Sequence, residues 1–294
     1  MAIDPSALLR HPIPDVEQTL GARDAILYAL SVGLGQDPLD TRQLDFVDQH
    51  RDLRALPFMA VVLTHPGFWA RDPRTGIDAV RVVHGEQRMV LHSPLPIGAA
   101  LTGRTRVTGV ADKGAGRGAL MFSEKEVTGP GGVLLATTTS TSFLRGDGGC
   151  GNAGDPPPAP LAPVPETMPD HVLDLPTRPE QALLYRLNGD DNPLHADPAF
   201  AAAAGFPRPI LHGLCTLGVA AHALLRVLGG YDPARFRSLG LRFSSPVYPG
   251  ETIRTEIWGN GAFQARVVER DVLVISHGMA EFADATAAGV PRAP

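Results

Sequence analysis

At 294 residues the chain exceeds one ordinary domain of roughly 100–150 residues, so two domains or one doubled architecture is expected, with length enough to bury a real core. Lys and Arg number 26 against 31 Asp and Glu, and the basic residues are scattered, which argues against a nucleic-acid partner. Two cysteines far apart, Cys150 and Cys215, outside any CxxC or Cys/His spacing, argue against a disulfide scaffold or zinc ribbon and suit a reducing compartment.

The N-terminal stretch "MAIDPSALLRHPIPDVEQ" lacks a basic segment followed by an apolar one, and no apolar run is long enough to cross a bilayer. The last residues, "AAGVPRAP", carry no peroxisomal or reticulum-retention tripeptide, so the expected location is the cytoplasm. A helix is expected over "GARDAILYALSVGLG", then a middle segment with Pro57. Four strands come next: "AVRVVHGEQRMVLHS", "ALTGRTRVTGVADKG", "RGALMFSEKEVTG" and "VLLATTTSTSFL". Between the second and third, "KGAGRGAL" lacks the GxGxxG spacing and reads as a hairpin turn; GxxxxGK[ST] and GxSxG are absent. Lys113 and Lys125 are the only lysines.

Residues 146–169, "GDGGCGNAGDPPPAPLAPVPETMP", cannot form a helix or central strand and read as an extended linker between halves 1–145 and 170–294. Beyond it, Asp197 and Pro198 make an N-cap and first helical position, with Gly205 as the stop. A second helix, apolar almost all round, is expected to begin between Ile210 and His212 and to run to Gly229 and Gly230. The strands "SLGLRFSSPVY", "ETIRTEIWG", "GAFQARVVER" and "VLVISHGMAEF" then form an antiparallel meander. The halves echo each other in order: "YALSVG" answers "YRLNGD", "LPFMAV" answers "RPILHG", and "SPLPIGAAL" answers "SPVYPGETI". That order argues for an internal duplication, and hence for an α+β protein in which an antiparallel sheet wraps a long buried helix, made twice.

The chemistry concentrates in "NGDDNPLHADP" and "PILHGL". Asn192-Pro193 forces a turn that puts Asp190 and His195 on either side of a bend, a pair suited to acid and base work on water. The alternative is plain turn chemistry, with Asp190 serving a backbone N–H. Gly213, at the start of the long helix, adds a candidate anion-stabilising amide that a ligand could approach closely.

"ALLYRLNGDDNPLHADPAFAAAAGFPRPILHGLCTLG" resembles the signature of the MaoC-like (R)-specific 2-enoyl-CoA hydratases, the hydratase 2 family with the hotdog fold. "RDAILYALSVG", "RVVHGEQRMVLHSPLP", "VADKGAG" and "SSPVYPGETIRTEIW" resemble other parts of the hydratase module of peroxisomal multifunctional enzymes, so the resemblance covers most of the chain. It implies a double hotdog fold, Asp190 and His195 as the catalytic pair, Asn192 beside them, and Gly213 as the oxyanion amide. Water would add across a trans-2-enoyl thioester, hydroxyl to Cβ and proton to Cα. It implies no metal or redox cofactor, coenzyme A arriving with the substrate, and a homodimer.

Asn188 departs from the Ser or Thr expected in many relatives. The first half has neither acid nor histidine in "YALSVGLGQDP", so the resemblance makes it a degenerate half that accommodates the acyl chain. His84 and Gly85 in "VHGEQ" are taken as substrate-binding rather than catalytic, and Arg237 and Arg242 as candidates for the coenzyme A phosphates. His212 and His222 are read as hydrogen-bonded structural histidines. The competing functions are another hotdog enzyme, a thioesterase or a dehydratase on steroid or carrier-bound thioesters, and a non-catalytic acyl-CoA-binding subunit.

Overall fold

The computed structural model describes residues 3–284. The C-terminal "AAGVPRAP", on which the reading of a missing targeting tripeptide rests, and the outermost residues of both expected halves lie outside the described residues.

The N-terminal half opens with α1 (Pro5–Leu9), β1 (Val16–Thr19) and α2 (Ala22–Ser31), followed by α3 (Leu44–Val47) and a series of short 3-10 turns. Its strands are β2 (Val82–Leu91), β3 (Ala100–Asp112), β4 (Ala119–Thr128) and β5 (Leu134–Leu144), with β6 (Ala153–Gly154) an appendage on β3. The C-terminal half has β7 (His171–Pro176), α4 (Gln181–Tyr185), α5 (Pro198–Ala203), α6 (Gly213–Val227), β8 (Phe236–Phe243), β9 (Thr252–Ile257), β10 (Ala262–Val267) and β11 (Val272–Phe282). The expected meanders are thus present in both halves.

The two sheets join edge to edge. β2 pairs with β8 antiparallel, giving one 11-stranded sheet in the order β1-β3-β4-β5-β2-β8-β11-β10-β9-β7 with β6 beside β3. The register makes the duplication visible: Arg88, five residues before one Ser-Pro, pairs with Gly240, five before the other. Counterpart residues also meet where α2 packs on α4. The Tyr28 and Tyr185 rings lie 6.1 Å apart, and Asn188 Nδ2 donates to Ser31 Oγ at 3.0 Å. A pseudo-two-fold axis runs through the seam, and one apolar core spans it, from Tyr28 and Phe58 to Tyr185, Leu224 and Phe236. The departure noted at Asn188 therefore falls on a contact between the halves.

The expectation of a long buried helix in each half needs correction. α6 is such a helix: Cys215 to Leu225 are all buried, as an all-round apolar sequence demands. In the first half Val61 occupies the place of Gly213, but Pro57–Val61 makes only a 3-10 turn. The chain leaves that course at Thr64, whose φ is 51°, ahead of His65-Pro66-Gly67. Proline disfavours helical geometry in the residue before it and cannot donate within a helix, so no helix continues here.

The 146–169 segment begins with turns held by Asp112, whose carboxylate accepts from the Gly149 and Gly151 amides, and by the β6 pairing. Residues 155–169 carry no helix or strand. They cross the sheet at the seam, where Arg88 donates to Ala159 O and Leu161 lies against Gly240, and end where Trp258 Nε1 donates to Thr167 O.

Candidate active site

α4 runs into a 3-10 turn, Arg186–Asn188, that stops at Gly189 with φ 111°, which frees the chain to turn Asp190 inward. Asp190 Oδ1 accepts the Asn192 N–H at 3.2 Å, and Asn192 Oδ1 accepts the Leu194 N–H at 3.1 Å, capping the turn Pro193–His195. The plain turn chemistry is therefore real, and it is also what sets the geometry of the pair. His195 ends the turn and is 8% exposed. Its Nδ1 donates to Ile210 O at 2.9 Å, which fixes the neutral tautomer with the Nε2 lone pair free. Burial pushes its pKa below the ordinary imidazole value, so it is a base rather than a cation at neutral pH.

The second segment brings in His212 and Gly213. His212 is the N-cap residue of α6 and is 1% exposed. Its ring stacks on His195 with centroids 3.7 Å apart, and its Nε2 donates to Asp190 O at 3.2 Å. Burial, and then the neighbouring His195, hold it down to about 3. The sequence reads His212 as structural; its hydrogen bond goes not to the helix start but to the backbone of the acid. Asp190, His195 and His212 offer donor atoms all within 4.8 Å of one another, the one such cluster among the described residues. These are the side chains that could share a cation.

Gly213 opens α6, and among the described residues its amide and that of Leu214 have no acceptor. Such first-turn amides, at the positive end of a 15-residue helix, suit an oxyanion. A Cβ on Gly213 would meet only the Phe243 ring, at 3.4 Å, an ordinary contact. The bare amide is thus not demanded by packing within the chain.

The first half reaches this place too. The β2–β5 register shifts at Gly85, a β-bulge directly after His84, which itself still pairs with Ser142. Its ring lies 4.9 Å from Phe243, its Nε2 donates to Glu86 O at 3.2 Å, and it feels the Asp190 charge. A cavity of about 270 Å³ reaches the residues just before Asp190, with Asn188 and Gly189 on one side and Leu27, Met59, Val62 and Leu63 of the first half on the other. His65 also lines it; the sequence gives no sign of this residue's place, because only the fold brings 59–65 next to 188–190.

The two arginines lie toward opposite ends of β8. Arg242 is held by Glu86 across the seam, at 2.7 and 3.0 Å. Arg237 donates to Ala234 O and Phe236 O at the far end of β8, about 20 Å of strand from Phe243. There it borders a second cavity with Pro57, Leu95 and Ile97. His222, buried in α6, shares a hydrogen bond with Tyr231 Oη at 3.1 Å through Nε2, while its Nδ1 has no partner among the described residues.

Residues 19–146 match the MFE-2 hydratase 2 N-terminal domain family and residues 160–283 the MaoC like domain family. The chain is 42% identical to 3-hydroxyacyl-thioester dehydratase Y of Mycobacterium tuberculosis, covering 92% of this chain and 94% of that protein. It is 38% identical to the peroxisomal enoyl-CoA hydratase 2 of Arabidopsis thaliana, covering 92% of each. Among solved structures, a MaoC-like dehydratase from Phytophthora capsici superposes with a TM-score of 0.83 at 36% identity, over 95% of this chain and 99% of that one.

Proposed function

Because the chain belongs to the MaoC-like hydratase 2 family, we propose that it is an (R)-specific 2-enoyl-CoA hydratase, adding water to trans-2-enoyl-CoA to give (3R)-3-hydroxyacyl-CoA. The observation that carries the reading is the convergence of the Asp190 carboxylate and the His195 ring beside a helix that begins with acceptor-free amides. The thioester carbonyl accepts from the Gly213 N–H, so negative charge developing on that oxygen as Cβ is attacked meets a fixed donor. One water sits between the Asp190 carboxylate and His195 Nε2. Its oxygen bonds to Cβ, its proton passes to the pair, and the pair delivers a proton to Cα; the two groups act as one coupled unit. Asn192 holds the turn that sets their separation.

The second half supplies this chemistry, and the first half, which has Gly33 and Pro38 at the places of Asp190 and His195, supplies the acyl pocket. The cavity beside Gly189 takes the acyl chain beyond the reacting carbons. His84 and Gly85 border the carbonyl side through Phe243. Coenzyme A arrives as part of the substrate, and the reaction needs no metal or redox cofactor. The protein works as a homodimer in the cytoplasm. In support of that compartment, Cys150 and Cys215 are unbonded, which suits a reducing environment.

The test is Asp190→Asn. It removes the charge while keeping an acceptor for the Asn192 amide, so turnover falls roughly 10²–10⁴-fold with acyl-CoA affinity and melting temperature retained. Hydration at the wild-type rate would refute the assignment.

A further inference from the structure

Lys125 is a buried base that the hydration chemistry does not use. It stands on β4, is 6% exposed, and its Nζ donates to three carbonyls: Ala60 at 3.2 Å, Val61 at 3.1 Å and Leu63 at 2.5 Å. Burial alone draws its pKa down to about 7, with no carboxylate opposing it. Three acceptors around one amine match the three protons of an ammonium.

The Ala60 and Val61 carbonyls belong to the turn that stands where the second half starts α6, and because the chain turns away at Thr64, no later helical amide comes back to them or to Leu63 O, which accepts besides only from Thr64 Oγ1 at 2.7 Å. The point of departure is held from two more sides. Gln18 Oε1 accepts the Thr64 N–H at 2.8 Å. Thr64 also presses on β3 at Gly103, where a Cβ would overlap its Oγ1. The other face of the same segment, Met59, Val62 and Leu63, lines the cavity beside Gly189.

We propose that Lys125 sets the acyl-chain selectivity of the protein: by gathering three carbonyls where a helix has been cut short, it fixes the wall against which the distal acyl chain packs. Lys125 is a positioning residue; its amino group does not touch the substrate. The proposal rests on the acyl-thioester reading of the site, and its test is therefore made on binding rather than turnover.

The experiment measures calorimetric affinity for butyryl-CoA and decanoyl-CoA in the wild type and in Lys125→Met. The decanoyl-to-butyryl affinity ratio is expected to fall about tenfold or more, with butyryl-CoA binding within about threefold of wild type, since only the longer chain reaches the loosened wall. An unchanged ratio in a folded variant, or equal loss for both ligands, would overturn the proposal. Should Lys125→Met give no cooperative melt, Gly103→Ala decides: it keeps the lysine and drives Thr64 and its segment toward the cavity, and it must lower the same ratio. An unchanged ratio there overturns the proposal as well. A wild type that prefers decanoyl-CoA but hydrates no enoyl-CoA would break the hydratase reading and leave the role of Lys125 standing.

Discussion

Gly213 is a residue whose chemistry can be separated from its packing. The chain itself tolerates a Cβ there, so Gly213→Ala is expected to melt near the wild-type temperature. The methyl group would nonetheless displace a carbonyl from the amide, and a misplacement of that order costs about a hundredfold in kcat/KM; full activity in this variant would remove the oxyanion role. His212 joins three site elements at once, stacking on His195, donating to Asp190 O and standing at the N-cap position of the helix that Gly213 opens. His212→Phe keeps the stack and loses the donor, so kcat should fall with little change in KM, whereas an equal loss in a conservative Gln variant would show that the ring matters more than the hydrogen bond. Asp190, Asn192 and His195 were legible because one local turn places them. His84 was visible as a candidate, but its approach to Asp190 depends on a bulge and on the seam between halves. Lys125 gave no signal beyond being one of two lysines, since its acceptors lie more than 60 residues away.

Among the elements, α6 and the eight strands of the two meanders are direct consequences of periodicity and turn residues. The missing first-half helix is not. An echo of "RPILHG" in "LPFMAV" suggests equivalence, but a helix continues only if the next residues allow it, and Pro66 and Gly67 come within six residues of Val61. The short β1, β7 and α4 also escape sequence reading, since a four- to six-residue element carries too little pattern to separate from a turn. α6 approaches α2 so closely that a Cβ on Gly218 would overlap Val32 Cγ1 and lie 3.2 Å from Tyr28 Oη. Gly218→Val should therefore cost about 1–3 kcal/mol in urea unfolding through overpacking, despite the poor helix propensity of glycine; a neutral result would mean that α2 can move away. The Arg242–Glu86 pair, with Arg242 44% exposed, should contribute no more than about 1 kcal/mol when Arg242 is changed to Met.

Among the described residues the molecule is one sheet with a main core that spans both halves and a smaller apolar cluster of Leu8, Val107, Val110, Met121 and Leu144, although the sequence reads as two units. Expressed alone, residues 160–284 would expose the β8 edge and the buried faces of Tyr185 and α6, so aggregation is expected on size exclusion; a monodisperse, cooperatively melting half would contradict the shared core. Three buried histidines, His195, His212 and His222, are held below their ordinary values by burial, the last to about 4. Between their folded values and about 6.5 the unfolded chain binds more protons on these rings than the folded one, so the part of the stability that rests on them is full above about pH 6.5 and is lost as pH falls below it. Urea midpoints at pH 7, 6 and 5 should decline in that order, and a flat series would mean that these rings are not neutral in the fold. The most direct single measurement is the chirality of the product formed from trans-2-decenoyl-CoA, with loss of enoyl-thioester absorbance followed in the same sample. Formation of (3R)-3-hydroxydecanoyl-CoA is the predicted result. The (3S) product, release of free thiol, or an unchanged absorbance would contradict the account.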